Sequence, residues 1–230
     1  MATASVSCEP WFRGVVLDLD GVVADSEPLH NRAWVEVFAE LGVSAEALGE
    51  ERIRSWTGVP DVEIVGGLIR EFRLQLSEPQ LLDRKRRVFR LLIPTAVRPF
   101  PGVKEELLGW DGVPVGLATA SRRREAELML ATLGLQGVFR SVVTGDDVER
   151  PKPAPDCYRK AVRGLGLKPA ECAALEDAPH GIRAARAAGL YAIAVSTSFP
   201  SGALTSAQKV FSEVREALAW IGAHLRRADH

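Results

Sequence analysis

The chain has 230 residues, 47% of them hydrophobic and 26% charged, with a formal net charge of −1. That length can bury a sizeable core and hold one domain with an insertion, or two domains. The near-neutral balance argues against a nucleic-acid footprint, while a small anionic substrate needs only a local positive site.

Residues 1–10 have neither a basic n-region nor an apolar stretch, and read as a loose tail rather than a secretory signal. The run Val15-Val16-Leu17 is the pattern of a strand buried on both faces of a parallel sheet. Asp18 and Asp20 follow at its end. Strand residues i and i+2 face the same way about 6.5–7 Å apart, so both carboxylates can converge on one site. Gly21 permits the turn that carries the chain away. Two acids at a strand's carboxyl end suit a hard cation and a reacting phosphoryl or acyl group. On its own the pair is equally a turn with one capping and one solvated Asp.

Asp25 and Ser26 are cap residues, and Pro28 falls in the first turn of a helix striped by Trp34, Val37, Phe38 and Leu41. Gly42 stops it. Helical pattern continues near 45–55, 61–72 and 79–92 with no alternating β-branched run, so an all-helical insertion of about 70 residues follows the first strand. Trp56 reads as core, and the basic run Arg84 to Arg87 with Arg90 as a solvated helix face.

Arg98-Pro99-Phe100-Pro101-Gly102 is a rigid turn back. Strands over 113–119, 141–144, 172–175, 191–195 and 209–211 then alternate with helices, and 213–225 forms a terminal helix. The helices between them carry stripes at Ala126, Met129, Leu130 and Leu133, at Tyr158, Ala161, Val162 and Leu165, and at Gly181, Ala184, Ala185 and Ala188. Such alternation predicts an α/β fold with a doubly wound, Rossmann-like parallel sheet, which binds ligands at the carboxyl ends of its strands.

The residues at those ends are therefore where a site is expected. The second strand ends in Thr119-Ala120-Ser121, a hydroxyl and amides before a helix N-terminus, which suits an anion or serves as a plain cap. The third leads to Lys152 between Pro151 and Pro153, a stiffened positive charge, although a lone loop lysine is more often solvated. The fourth ends in Glu176-Asp177, a second acidic pair fit to add metal ligands. In order, the four ends are far more specific than any one of them.

These four segments resemble the four motifs of the haloacid dehalogenase (HAD) superfamily, over nearly the whole span from Val15 to Val195. Asp18-Leu19-Asp20-Gly21 through Asp25-Ser26-Glu27, with His30, Ala33 and Trp34, is similar to the β-phosphoglucomutase-like and sugar-phosphate phosphatase branch. Lys152-Pro153-Ala154-Pro155-Asp156 and Leu175-Glu176-Asp177 point the same way. The resemblance implies a HAD core over residues 11–26 and 98–230, with the insertion, 27–97, as a small helical cap. It implies that Asp18 is the nucleophile, Asp20 the general acid/base, and Thr119 and Lys152 phosphate binders flanked by Ala120 and Ser121. Asp177, Asp18 and the Asp20 carbonyl would hold Mg²⁺, with Glu176 supporting the site. His30 at the cap hinge and Gly58 in the cap are candidates to touch the substrate, and helix packing accounts for His30 about as well.

The expected partner is a small phosphorylated metabolite, with Asp20 protonating the leaving oxygen and its pKa raised by its neighbours. Dehalogenases of this superfamily do not usually carry the second aspartate, and response-regulator receivers lack a helical insertion. A scaffold without turnover is disfavoured because every motif residue is present. Against a mutase, Asp61 follows Gly58-Val59-Pro60 where a mutase cap carries arginine, and reads as an anion that would repel a second phosphate. Lys85 sits where a mutase cap has a lysine, but within the basic run. Cys8, Cys157 and Cys172 are widely spaced with no CxxC, which argues against disulfides or zinc and for a reducing cytoplasm. No apolar run reaches the ~18 residues of a membrane span, and a monomer is expected.

Overall fold

The computed structural model describes residues 10–226, so Cys8 and all but the last residue of the expected tail lie outside the described residues. Strand β1 (Gly14–Leu17) is buried along its whole length. Its side chains alternate between two apolar layers, Val15 and Leu17 joining one core cluster and Val16 the other. After Asp20 the chain turns into a two-residue strand, β2 (Ala24–Asp25).

Five helices follow: α1 (Glu27–Glu40), α2 (Ala45–Leu48), α3 (Glu50–Ser55), α4 (Asp61–Glu71) and α5 (Glu78–Ala96). The helix expected over 45–55 is two pieces, because Gly49 between them takes φ +79°, outside the helical region. Helix α1 starts at Pro28's turn as expected and buries Trp34, Val37 and Phe38. Trp56 packs edge-on to Trp34, with ring centroids 6.1 Å apart, as a core residue.

The chain returns through β3 (Arg98–Pro99), antiparallel to β2 with Ala24 opposite Pro99 and Asp25 opposite Arg98. The segment expected as a rigid turn is therefore half of a ribbon through which the helical insertion enters and leaves. A pattern of two residues is too short to show strand periodicity in sequence. Helix α6 (Val103–Gly109) comes next and was also not expected; it offers just two buried residues, Val103 and Leu107, and so no readable stripe.

Strands and helices then alternate as β4 (Val115–Ala118), α7 (Arg123–Leu133), β5 (Ser141–Val143) and α8 (Asp156–Leu165). They continue as β6 (Cys172–Glu176), α9 (Pro179–Ala188), β7 (Tyr191–Val195), β8 (Lys209–Phe211) and α10 (Val214–Ala223). The six longer strands form one parallel sheet in the order β5-β4-β1-β6-β7-β8. Helices α6, α7 and α10 pack on one face and α8 and α9 on the other, the doubly wound α/β arrangement. The α9 face is lined by Ala174, Ala192 and Ala194 against Ala184, Ala185 and Ala188, so helix and sheet approach closely. Because β1 sits at the centre of a parallel sheet, the carboxyl ends of β1, β4, β6 and β7 lie together along one edge. Cys157 and Cys172 are buried free thiols. Among the described residues no helix is long and apolar enough to cross a membrane.

Candidate active site

The end of β1 places its two carboxylates in separate networks. The Asp18 N–H donates to the Leu175 carbonyl at 3.0 Å, which pins the residue beside the end of β6. Lys152 Nζ donates to Asp18 Oδ1 at 2.7 Å and to Glu176 Oε1 at 2.5 Å. The Tyr158 hydroxyl donates to the same Glu176 oxygen at 2.7 Å. Ser198 donates to Asp177, and Thr197 Oγ1 donates to the Gly21 carbonyl at 2.6 Å. Two glycines make the crowding possible. A Cβ on Gly21, which has φ +77°, would stand 1.8 Å from Asp177 Oδ2, and one on Gly181 would stand 2.0 Å from Glu176 Oε1.

Asp18, Glu176 and Asp177 each bring a carboxylate oxygen within 4.8 Å of the other two. Burial is the largest influence on Asp18 and pushes it up, Lys152 pulls it down, Glu176 and Asp20 push it up again, and together they leave the carboxyl at about 8. Burial likewise drives Asp177 well above the carboxylate range, with Asp18 and Glu176 adding to it. Lys152 is stripped of water too, but Asp18 and Glu176 outweigh that and keep it an ammonium. Three crowded carboxylates facing one ammonium is a donor set that fits a hard divalent cation.

Asp20 lies in a different environment. Ser26 Oγ donates to its Oδ1 at 2.5 Å and Ser121 Oγ to its Oδ2 at 2.6 Å. Thr119 Oγ1 reaches Oδ2 at 3.4 Å, and His30 Nε2 stands 3.7 Å from Oδ1. Burial pushes Asp20 up, but His30, Ser121 and Ser26 together overcome it and hold the carboxyl well below its ordinary range. The expected rise is therefore reversed, because hydrogen-bond donors surround the ionised form. Ser26 explains its own departure as well. It stands at the N-cap of α1 but makes no cap hydrogen bond, its backbone being near-helical at φ −101° and ψ −17°, and its hydroxyl donates to Asp20.

The structure thus brings Asp18, Lys152, Glu176 and Asp177 into one cluster, and Asp20, Thr119, Ser121 and His30 into a second beside it. Thr119 is fully buried and also accepts from the Ser121 N–H at 3.0 Å, whereas Ala120 is exposed. Gly58, in the turn between α3 and α4, donates its N–H to Glu27 Oε1 at 3.2 Å and lies against the Phe199 ring. Arg122 and Arg123 turn away to pair with Asp146 and Asp147.

Two sequence expectations in the insertion are overturned. Lys85 is not on a solvated face: it is 1% exposed, and its Nζ donates to Asp61 Oδ2 at 2.7 Å and to His30 Nδ1 at 2.5 Å. Asp61 is consequently not a free anion but half of an ion pair. The signal was present, since Leu81, Lys85, Val88 and Leu92 fall at the i, i+4, i+7, i+11 spacing of the buried stripe. Ser198 follows the end of β7 and was reachable by the same strand-end rule applied once more. Tyr158 counted as core by its spacing, which says nothing of its hydroxyl.

A family model for haloacid dehalogenase-like hydrolases matches residues 12–189. The chain belongs to this family. It is 34% identical over 185 residues to the fructose-1-phosphate phosphatase YqaB of Escherichia coli, covering 80% of this chain and 96% of that protein. It is 30% identical over 196 residues to the beta-phosphoglucomutase of Bacillus subtilis, covering 82% and 85%. The crystal structure of a single-residue variant of CbbY from Rhodobacter sphaeroides, in complex with xylulose-1,5-bisphosphate, superposes with a TM-score of 0.73 at 27% identity, covering 89% and 96%.

Proposed function

We propose that this protein is a phosphatase that hydrolyses a small phosphorylated sugar through an aspartyl-phosphate intermediate on Asp18. The observation that carries this reading is the division of labour at the end of β1. Asp18 faces a cation-binding cluster, while Asp20 faces hydroxyls and an imidazole.

Asp18 attacks phosphorus with one carboxylate oxygen as the bond to the sugar oxygen breaks, and Asp20 gives that oxygen its proton. Water then attacks the phosphoryl group, Asp20 takes the water's proton, and the phosphorus–Asp18 bond breaks to free phosphate. The hydrogen-bond donors around Asp20 favour its ionised form, the form that takes the water's proton in the second half of the cycle. Lys152 lies beside Asp18, where it offsets charge on the phosphoryl oxygens, and Thr119 and Ser121 supply hydroxyls at the same mouth. Asp18 and Asp177, with Glu176 beside them, would hold Mg²⁺, which neutralises the repulsion between a carboxylate and a phosphate dianion.

Phosphate release from a panel of pentose and hexose monophosphates with Mg²⁺ tests the reading. Release is expected, with none in excess chelator and none from Asp18→Asn. Conversion of β-glucose 1-phosphate to glucose 6-phosphate without free phosphate would overturn it.

A further inference from the structure

Trp110 carries a polar group that the chemistry above does not use. It follows the last residue of α6 and is 8% exposed. Among the described residues its Nε1–H has no hydrogen-bond partner, although an indole nitrogen only donates and is costly to leave unpaired in the interior. Beside it lies a half-open cavity of about 340 Å³ between α6 and α10, walled by Glu106, Trp110, Val113, Ala219, Gly222 and Leu225. Val113 stands two residues before β4, and Leu225 bridges Phe12, two residues before β1. The cavity is therefore at the amino ends of the strands, on the opposite edge of the sheet from Asp18 and Lys152.

The wall defines what fits. Ala219 and Gly222 are i and i+3 on α10, so one face of that helix is kept low. A Cβ on Gly222 would stand 3.1 Å from Trp110 Nε1 and 3.8 Å from Glu106 Oε2, so both polar atoms border the same point of the wall. Among the described residues no side-chain hydrogen bond or ion pair reaches the Glu106 carboxylate. A head group that satisfies both places an acceptor at the indole and a cationic donor at the carboxylate. An α-ammonium beside a carbonyl oxygen has that arrangement. A sugar phosphate does not, since its phosphate would meet Glu106 as a like charge. Val113, Leu225 and the indole ring offer apolar surface to the remainder of a ligand. A cavity of about 150 Å³ holds benzene, so this one has room for a ring and a short polar chain.

We propose that this cavity is a second binding site, separate from the strand-end cluster, for a small α-amino carbonyl compound with an apolar side group. Glu106 takes its ammonium, Trp110 donates to its carbonyl oxygen, and Gly222 leaves space for the head group. The proposal does not depend on the phosphatase reading, and its test does not use turnover.

The test follows the Trp110 indole N–H by nuclear magnetic resonance of ¹⁵N-labelled full-length protein, the signal being identified by its loss in Trp110→Phe. L-phenylalaninamide should shift it saturably. 3-Phenylpropanamide, which lacks just the ammonium, should bind about fivefold more weakly or worse. Glu106→Gln should bring the two affinities within about twofold of each other. Gly222→Ala puts a better helix former on α10 and should weaken phenylalaninamide about tenfold by filling the head-group position. Absence of a saturable shift overturns the proposal, as does equal affinity for the two amides. A shift unchanged by both Glu106→Gln and Gly222→Ala marks an adventitious additive only and overturns it too. So does an indole signal that Glu106→Gln moves in the free protein and that no ligand moves, because Glu106 or a water would then already serve the indole. If Gly222→Ala does not fold, Ala219→Leu fills the same face of α10 from an exposed position and carries the test; unchanged affinity there overturns the idea.

Discussion

Among the described residues, two lysine side chains are buried, and they sit in opposite surroundings. Lys152, on the loop after β5, meets Asp18 and Glu176 with Asp177 close by, so three crowded carboxyl groups face one ammonium and offer oxygen donors to a further cation. Lys85, in the helical insertion, meets one carboxylate and one imidazole acceptor between aromatic faces, and its charge is matched. The strand ends thus hold more carboxyl groups than cations, whereas the buried lysine of the insertion is matched by its own partner. The difference shows that burial of a lysine is not itself a mark of reactivity. What surrounds it decides.

The largest test of that contrast is kinetic. Asp20→Asn removes the proposed proton carrier beside the strand-end cluster, and turnover of an alkyl phosphate should fall by about 10²–10⁴-fold. The loss should be much smaller for p-nitrophenyl phosphate, whose leaving group needs no proton. Equal losses for both esters would remove Asp20 from the acid/base role.

Stability separates the lysines next. Lys152→Met strands the buried Glu176 and removes the cation that holds Asp18 down, and should cost about 3–5 kcal/mol in urea unfolding at pH 7 without added metal. Lys85→Met leaves Asp61, whose side chain is 26% exposed and can hydrate, so about 1–2 kcal/mol is expected. The opposite order would mean that the insertion, not the strand ends, carries the greater electrostatic load.

A third pair, at the surface of the core, calibrates the low end. Burial pushes Asp147 up, but the N–H and hydroxyl of Thr144 and the Arg123 guanidinium hold its pKa down from 3.8 to about 2. A carboxylate whose pKa is lowered by folding stabilises the protein above its unfolded value and loses that contribution as pH falls through the folded one. Asp147→Asn should therefore cost about 1 kcal/mol near pH 6, after allowance for solvent screening at a partly exposed pair. The difference from the unmutated protein should shrink between pH 3.8 and about 2. A difference independent of pH would assign the loss to packing rather than charge.

Much of the site could be read without coordinates, because its residues stand at the ends of strands and strands announce themselves. Asp18, Thr119, Lys152 and Asp177 each follow an apolar run, and a parallel sheet must gather such ends on one edge. The electrostatics were less legible. Asp20 was expected with a raised pKa, yet Ser26, His30 and Ser121 come from three separate segments to hold the ionised form. Nothing in their spacing says that they meet.

The sequence by itself determined the α/β alternation, the helical insertion and the order of the chemical groups along the chain. Each of these depends on local periodicity and on turn residues, which are properties of neighbours in the chain. Only the tertiary structure decided that Lys85 is buried, that Asp61 is its partner and not a free anion, and that the serine expected to cap α1 serves Asp20 instead. Those outcomes turn on which charges and hydrogen-bond donors come within a few ångströms across 6, 24 or 55 positions of sequence, and Coulomb and hydrogen-bond energies depend on that separation in space rather than along the chain.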